Sequence, residues 1–398
     1  MEHVSIDPEL GVRMRRYVLV LAVVVAVLLA AVVALNRVVD PFGLYNDVSI
    51  QGLNRYKTEI SEYERHVQPQ VIRRLQPEAL VFGSSVAKIG LEPTHPGFAD
   101  QGRLRVYNFA FYGGGWGRTL CGFEYAAQTV PMKRAVVGLL PGDLPPVDCA
   151  KEMPEIAEVS VATLLASRTT LEASLSTIRK QKKGRSTHTP EGRAFFGDDA
   201  PDHEAVFRKF LTRLVGERYR GATCSLGRDL PFEPPVATPK IDLRGLHTLL
   251  ETAESRGVDL RLYLYPQPAQ VAEFDVACGK LEKRWADIAA ITELVARYPR
   301  AQLWSFESYG PMIAERIVGG RPQRWQDAVH HDVVLGNAML DDMFGVAGAP
   351  GVGMRLTPDS LPQAYAQFLV RRAEALAPGG WLAEDTRRLA RDIDLPAR

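Results

Sequence analysis

The sequence predicts an α/β fold: a three-layer α/β/α sandwich around a mostly parallel sheet, behind one N-terminal transmembrane helix. Three observations predict it. Residues 17–35 carry no charge. Beyond them, short apolar runs alternate with stretches of helical periodicity, the pattern of a sheet covered on both faces. The ends of those runs carry Gly, Ser, Pro and Asp, the residues of tight turns.

The N-terminal run comes first. At about 1.5 Å per residue it nearly spans a ~30 Å hydrocarbon layer. Arg13, Arg15 and Arg16 precede it, and only Arg37 follows closely. This bias of positive charge places residues 1–16 in the cytoplasm, a single-pass anchor at 17–36, and the rest outside. A cleaved signal peptide is the alternative, but the run is long for one, and the small residues near Ala30, Ala31 and Ala34 make a poor cleavage site.

Residues 37–76 read as a juxtamembrane linker and helix. Residues 39–45 are rich in turn formers. Tyr56, Ile60, Tyr63 and Val67 then recur at helical spacing. This helix is expected to break near Pro69, resume to Leu75 and end at Pro77. Strands are expected at 79–82, 105–109, 134–140, 260–265 and 302–306. Helices are expected at 116–129, 238–256, 281–298 and 332–344. The first strand is apolar without alternation, as a strand buried on both faces is. Residues 150–235 break the rhythm and read as an insertion. They include the basic run 179–183, a solvated face, and the acidic Asp198, Asp199 and Asp202. The α/β domain then covers 77–348, and 349–398 a helical extension.

The formal net charge of +1 gives no footprint for nucleic acid. The four cysteines, Cys121, Cys149, Cys224 and Cys278, form no Cys-x-x-Cys and have no His at metal-ligand spacing, so no metal is expected. Cys149 and Cys224 flank the long middle segment and are the disulfide pair expected, against four free thiols. Gly113-Gly114-Gly115 is not followed by the Lys-Ser/Thr of a phosphate loop, and no cofactor is expected.

Three motifs carry chemistry. Gly83-Ser84-Ser85 follows the first strand, where α/β sheets place their sites. Gly83 permits a sharp bend, and a serine on such a turn stands exposed with its own N–H free to hold an oxyanion. Asn108 to Gly113 ends the second strand, where Gly113 offers a second N–H and Asn108 can orient the loop or donate a hydrogen bond. Asp327 and His330 are spaced so that one turn sets the carboxylate against the imidazole, leaving the other ring nitrogen for a serine proton. This spacing selects His330 over its neighbour His331. Zinc held by this His pair would need further ligands, which are absent nearby.

At these residues the chain resembles the SGNH, or GDSL-like, hydrolase superfamily, over roughly residues 79–345. The family's Gly-Asp-Ser block matches Gly83-Ser84-Ser85 with Ser84 in place of Asp, which makes Ser85 the implied nucleophile. Its Asn-x-Gly-x-x-Gly block matches Asn108 to Gly113 with Ala110 at the middle Gly. Its Asp-x-x-His block matches Asp327 to His330. The resemblance implies Ser85, His330 and Asp327 as the catalytic set, with Ser85, Gly113 and Asn108 as the oxyanion hole. One block departs. The Gly-x-Asn-Asp expected after the third strand reads Gly138-Leu139-Leu140-Pro141, with Leu140 where the family has its oxyanion Asn.

The architecture also resembles anchored envelope proteins of that superfamily that O-acetylate exported polysaccharides or hold the glycan during acetylation. The implied function is a serine-dependent acyl esterase or O-acyltransferase acting on an envelope or exported polysaccharide, held at a bacterial inner membrane with its catalytic domain in the periplasm. Its implied partners are the bilayer, a polysaccharide or other acyl-bearing substrate, and a membrane protein donating the acyl group. A non-enzymatic glycan-binding or scaffolding subunit is the alternative. Tyr265, Trp304 and Trp325 are the aromatic residues expected to line a substrate cleft.

Overall fold

The computed structural model describes residues 8–392 other than 159, 197–201, 220–221, 232, 234–240, 308, 311, 319–323 and 378–379. Asp198 and Asp199, and the expected start of a helix at 238–240, lie outside the described residues. The chain divides into two compact units. One joins Met1–Val71 to Glu155–His188, the other Ile72–Pro154 to Thr189–Arg398. The insertion expected at 150–235 is therefore divided between them.

In the first unit, helix Pro8–Val39 is long and apolar enough to cross a membrane. Its side chains from Tyr17 to Leu29 are exposed apolar groups, which water does not favour and lipid does. Its C-terminal end packs on helices Val161–Ala166 and Arg168–Lys180. Buried Asn36 ties this junction. Its Nδ2 donates to the Leu165 carbonyl at 2.8 Å, and its Oδ1 accepts from Ser174 Oγ at 2.8 Å, as a buried amide requires. The turn at 39–45 is organised by Asp40, whose carboxylate accepts the N–H groups of Leu44, Tyr45 and Asn46. In the basic run, Lys180 bonds Glu59 at 2.8 Å, while Arg179 and Lys182 are exposed.

Helix Ile60–Leu75 runs through Pro69 without the expected break. Pro removes one donor and crowds the preceding turn, but Val67, Gln68, Gln70, Val71 and Ile72 are all buried. Packing on both sides of Pro69 outweighs its local cost.

The second unit holds one six-stranded sheet: β1 Ala79–Phe82, β2 Val106–Asn108, β3 Arg134–Leu139, β4 Asp259–Leu264, β5 Ala301–Ser305 and β6 Met354–Leu356. Their order is β2-β1-β3-β4-β5-β6. All neighbours pair in parallel except β5 with β6. The five expected strands lie within one residue of their expected ends. The sixth falls in the segment expected to be a helical extension, because three residues are too short to show a period. Helix Trp116–Thr129 has its expected bounds, while helices Arg244–Ser255, Leu281–Val295 and Val333–Phe344 are shorter than expected.

β1 is fully buried. Phe82 meets Phe109 and Phe123 edge-on, with ring centres 6.1 and 5.3 Å away. The chain leaves β1 toward β2 on one side and β3 on the other, so the carboxyl end of β1 opens at the point where strand order reverses. That is where a crevice forms in an open parallel sheet.

The expected Cys149–Cys224 pair does not form. Cys121 is bonded to Cys149, with Cα atoms 5.3 Å apart, and Cys224 to Cys278, at 4.2 Å. The reason is packing: helix Trp116–Thr129, which carries Cys121, lies on helix Cys149–Glu152. Helix His203–Arg218, just before Cys224, buries Phe207, Leu211 and Val215 in the same core as Cys278. Spacing in sequence carried none of this.

Candidate active site

Ser84 and Ser85 stand at the end of β1. Gly83 takes φ = +142°, a conformation that strains any side chain. Ser84 caps helix Ser85–Gly90, its Oγ accepting the Val86 N–H at 3.3 Å. Ser85 is the first residue of that helix, so its N–H has no intrahelical acceptor by position. A second tie holds the turn. The Ser84 N–H donates to the Tyr265 hydroxyl at 2.7 Å. The Tyr265 side chain lies against Gly83 and Gly138, where a Cβ would come within 2.4 Å of its hydroxyl and 2.2 Å of its ring. Burial raises the Tyr265 hydroxyl pKa, opposed by its bonds to Ser84, so the phenol stays neutral. Tyr265 thus anchors the serine turn.

The Asp-x-x-His motif meets this turn. His330 Nε2 lies 2.7 Å from Ser85 Oγ, and His330 Nδ1 lies 2.7 Å from Asp327 Oδ2. Asp327 is fully buried. Its other oxygen accepts the N–H groups of Val329 at 2.7 Å and His330 at 2.8 Å. A carboxylate only accepts, so Nδ1 carries the ring hydrogen, and Nε2 is left to accept the Ser85 proton. The imidazole is flanked by the rings of Phe196 and Phe210, at 5.8 and 6.2 Å. The arrangement can deprotonate a serine hydroxyl as it attacks, and return the proton to a leaving group.

His331 is built for packing. It is fully buried, its Nδ1–H donates to the Asp332 carbonyl at 2.9 Å, and burial pushes its pKa down to about 4. Its ring rests on Gly90, where a Cβ would come within 2.1 Å of it. One turn on, a Cβ at Gly336 would meet the Gly90 carbonyl oxygen at 1.7 Å. Helix Val333–Phe344 therefore lies backbone to backbone on the helix that Ser85 begins. This contact ties the helix that Ser85 begins to the one that follows His330.

A stability consequence follows from His331. The unfolded chain protonates this ring below its ordinary pKa of 6.5, whereas the native state resists protonation until about 4. Stability is therefore expected to fall as pH drops through that window, by about 3 kcal/mol at most. Urea unfolding at pH 7.5 and 4.5 tests this. The loss should be smaller in His331→Asn, and equal losses in the two proteins would refute it.

The other expected site residues are placed as follows. Gly113 adopts φ = +60° in a turn closed by the Gly114 N–H on the Phe111 carbonyl at 3.0 Å. The turn is held to the serine loop by the Phe111 N–H on the Gly83 carbonyl at 3.1 Å. Asn108 is fully buried. Its Nδ2 donates to the Ala87 carbonyl at 3.0 Å and the Leu91 carbonyl at 3.3 Å, which braces the short serine helix. Trp325 is fully buried, with its Nε1 bonded to the Ile313 carbonyl at 2.8 Å. Trp304, on β5, bonds Gln302 at 3.3 Å and packs on the core. Neither lines the cavity beside Ser85, because inward-facing aromatic area is taken up by the core. Tyr265 does line it.

That cavity, of about 390 Å³, opens beside Ser84 and Ser85. Leu140, at the position of the absent Asn, is on its wall and 57% exposed. Leu214 and Val271 also line it, and neither was singled out from the sequence. The available signal was Phe207, Phe210, Leu211, Leu214 and Val215, an apolar stripe at helical spacing inside the insertion. No protein-family model and no curated protein matches the chain.

Proposed function

We propose that this chain is a serine-dependent acyl esterase or O-acyltransferase of SGNH-like, three-layer architecture. The observation that carries the reading is the continuous relay from Asp327 through His330 to Ser85, with both contacts at 2.7 Å. Ser85 Oγ attacks the acyl carbonyl while His330 Nε2 takes its proton. The tetrahedral oxyanion is met by the N–H groups of Ser85 and Gly113. His330 returns the proton to the leaving alcohol, giving an acyl-Ser85 ester. Water or an acceptor hydroxyl, activated by the same imidazole, then releases the acyl group.

The N-terminal helix anchors the enzyme, and the arginines before it favour a catalytic unit outside the cytoplasm. Two disulfides agree with that oxidising compartment. The substrate would be an envelope or exported polysaccharide, the class implied by the resemblance. A second reading rests on Leu140. An apolar residue in place of an oxyanion donor, a loss worth about 10²–10³ in rate where measured, suits a glycan-binding or scaffolding subunit. A fluorophosphonate probe on the folded full chain in detergent separates the two. Labelling at Ser85 is expected, and a folded protein left unlabelled favours the scaffold.

A further inference from the structure

We infer that the acyl group this site accepts is a medium-length alkyl chain, of about four to eight carbons, rather than acetyl. The inference rests on the reading of Ser85 as nucleophile and adds the identity of its acyl partner. The cavity beside Ser85 has a volume of about 390 Å³. At roughly 30 Å³ per water-sized group, that is room for about thirteen such groups. An acetyl group has three non-hydrogen atoms and leaves most of the space empty. An octanoyl group has nine.

The wall chemistry points the same way. Eight of its fourteen lining residues are aliphatic, Leu140, Leu214, Val271 and Val329 among them. The charged residues at its edge are already paired. Arg218 bonds Gln267 at 3.2 Å and lies 3.4 Å from Asp275, and Glu217 bonds Arg213 at 3.0 Å. A hydroxyl-rich sugar ring in this space would lose more water contacts than the few polar groups of the wall replace. Of the three aromatic residues expected to meet a sugar, Trp325 is fully buried, Trp304 packs on the core, and Tyr265 is buried and holds the serine turn. An alkyl chain gives up no hydrogen bonds on entry and gains contact along its length. Leu140 is itself a large apolar residue left 57% exposed beside the serines. Covering it with a chain accounts for a leucine where a polar donor is expected.

The chemistry is the acylation already described. The Ser85 Oγ–acyl carbon bond forms, the ester C–O bond breaks, and the proton moves through His330 to the departing alkoxide. Water then reverses the sequence and releases the carboxylic acid.

The test is the chain-length profile of the full chain in detergent on p-nitrophenyl acetate, butyrate and octanoate. Each methylene buried is worth roughly a factor of four, of which only part is realised at a half-open site. kcat/KM is expected to rise about tenfold to a hundredfold from acetate to octanoate. Leu214→Trp, which fills the cavity from helix His203–Arg218, should erase that preference, lowering the octanoate rate at least tenfold more than the acetate rate. Leu214→Ala, which adds no bulk, should keep the preference and serves if the Trp variant does not fold. Ser85-dependent hydrolysis with acetate the best substrate would overturn the inference and leave the esterase reading standing. No Ser85-dependent hydrolysis of any of the three esters would overturn both.

Discussion

Ser85→Ala is expected to lower kcat on its preferred acyl ester by about 10⁴–10⁶-fold, and His330→Ala by nearly as much, with the double variant no worse than either alone. The reason is in the geometry. Ser85 supplies the bond-forming oxygen, and His330 Nε2, 2.7 Å away, is the base placed to take its proton. Once either is gone the other has no role in that step, so the losses do not add. Asp327→Asn is expected to cost about 10⁴ by itself. An amide at that position can present its NH₂ to Nδ1, which stabilises the tautomer with its hydrogen on Nε2 and turns that nitrogen away from the serine proton. KM should change little in all three, because none of these groups holds the distal part of the substrate. Steady-state kinetics on the full chain, with intact folding verified by circular dichroism, measure each value. Additive losses in the double variant, or an Asp327→Asn enzyme near wild-type rate, would remove the relay from the mechanism.

The second large effect is expected outside the relay, at Gly336 and Gly90. A Cβ at Gly336 would sit 1.7 Å from the Gly90 carbonyl oxygen, and one at Gly90 would sit 2.1 Å from the His331 ring. The first obstacle is backbone and the second a fully buried side chain, so neither yields easily. Gly336→Ala and Gly90→Ala are each expected to destabilise by about 2–4 kcal/mol. They should also lower kcat about 10²-fold, since a shift of ~1 Å in a reacting group is enough. Ser85 begins one of these helices and His330 precedes the other, so parting them lengthens the 2.7 Å contact. Gly216→Ala is the contrast. Its Cβ meets nothing within 4 Å, and in a helix the change should stabilise by up to about 1 kcal/mol. Urea unfolding midpoints and the rate of fluorophosphonate labelling read the two effects. Gly336→Ala with normal stability and normal labelling would show that this contact does not set the serine–histidine distance.

The sequence by itself determined the elements and motifs whose causes are local. The N-terminal helix is legible because its length and lack of charge are properties of consecutive residues. β1 to β5 and helix Trp116–Thr129 are legible because each buries a continuous run or one face. The Asp327–His330 pair is legible because the Asp327 carboxylate binds the N–H groups two and three residues ahead of it, an arrangement one turn of chain makes alone. Tertiary structure decided what depends on neighbours distant in the chain. It paired Cys121 with Cys149 and Cys224 with Cys278, turned the Asn108 amide onto the serine helix, and drew Trp325 into the core. It carried a helix through Pro69 and added β6 as a three-residue edge strand. It also brought Leu214, out of an insertion with no evident motif, to the wall beside Ser85. In each of these the local preference of the residue is small beside the burial and hydrogen bonds supplied by its partners, and those partners are chosen only when the sheet has formed.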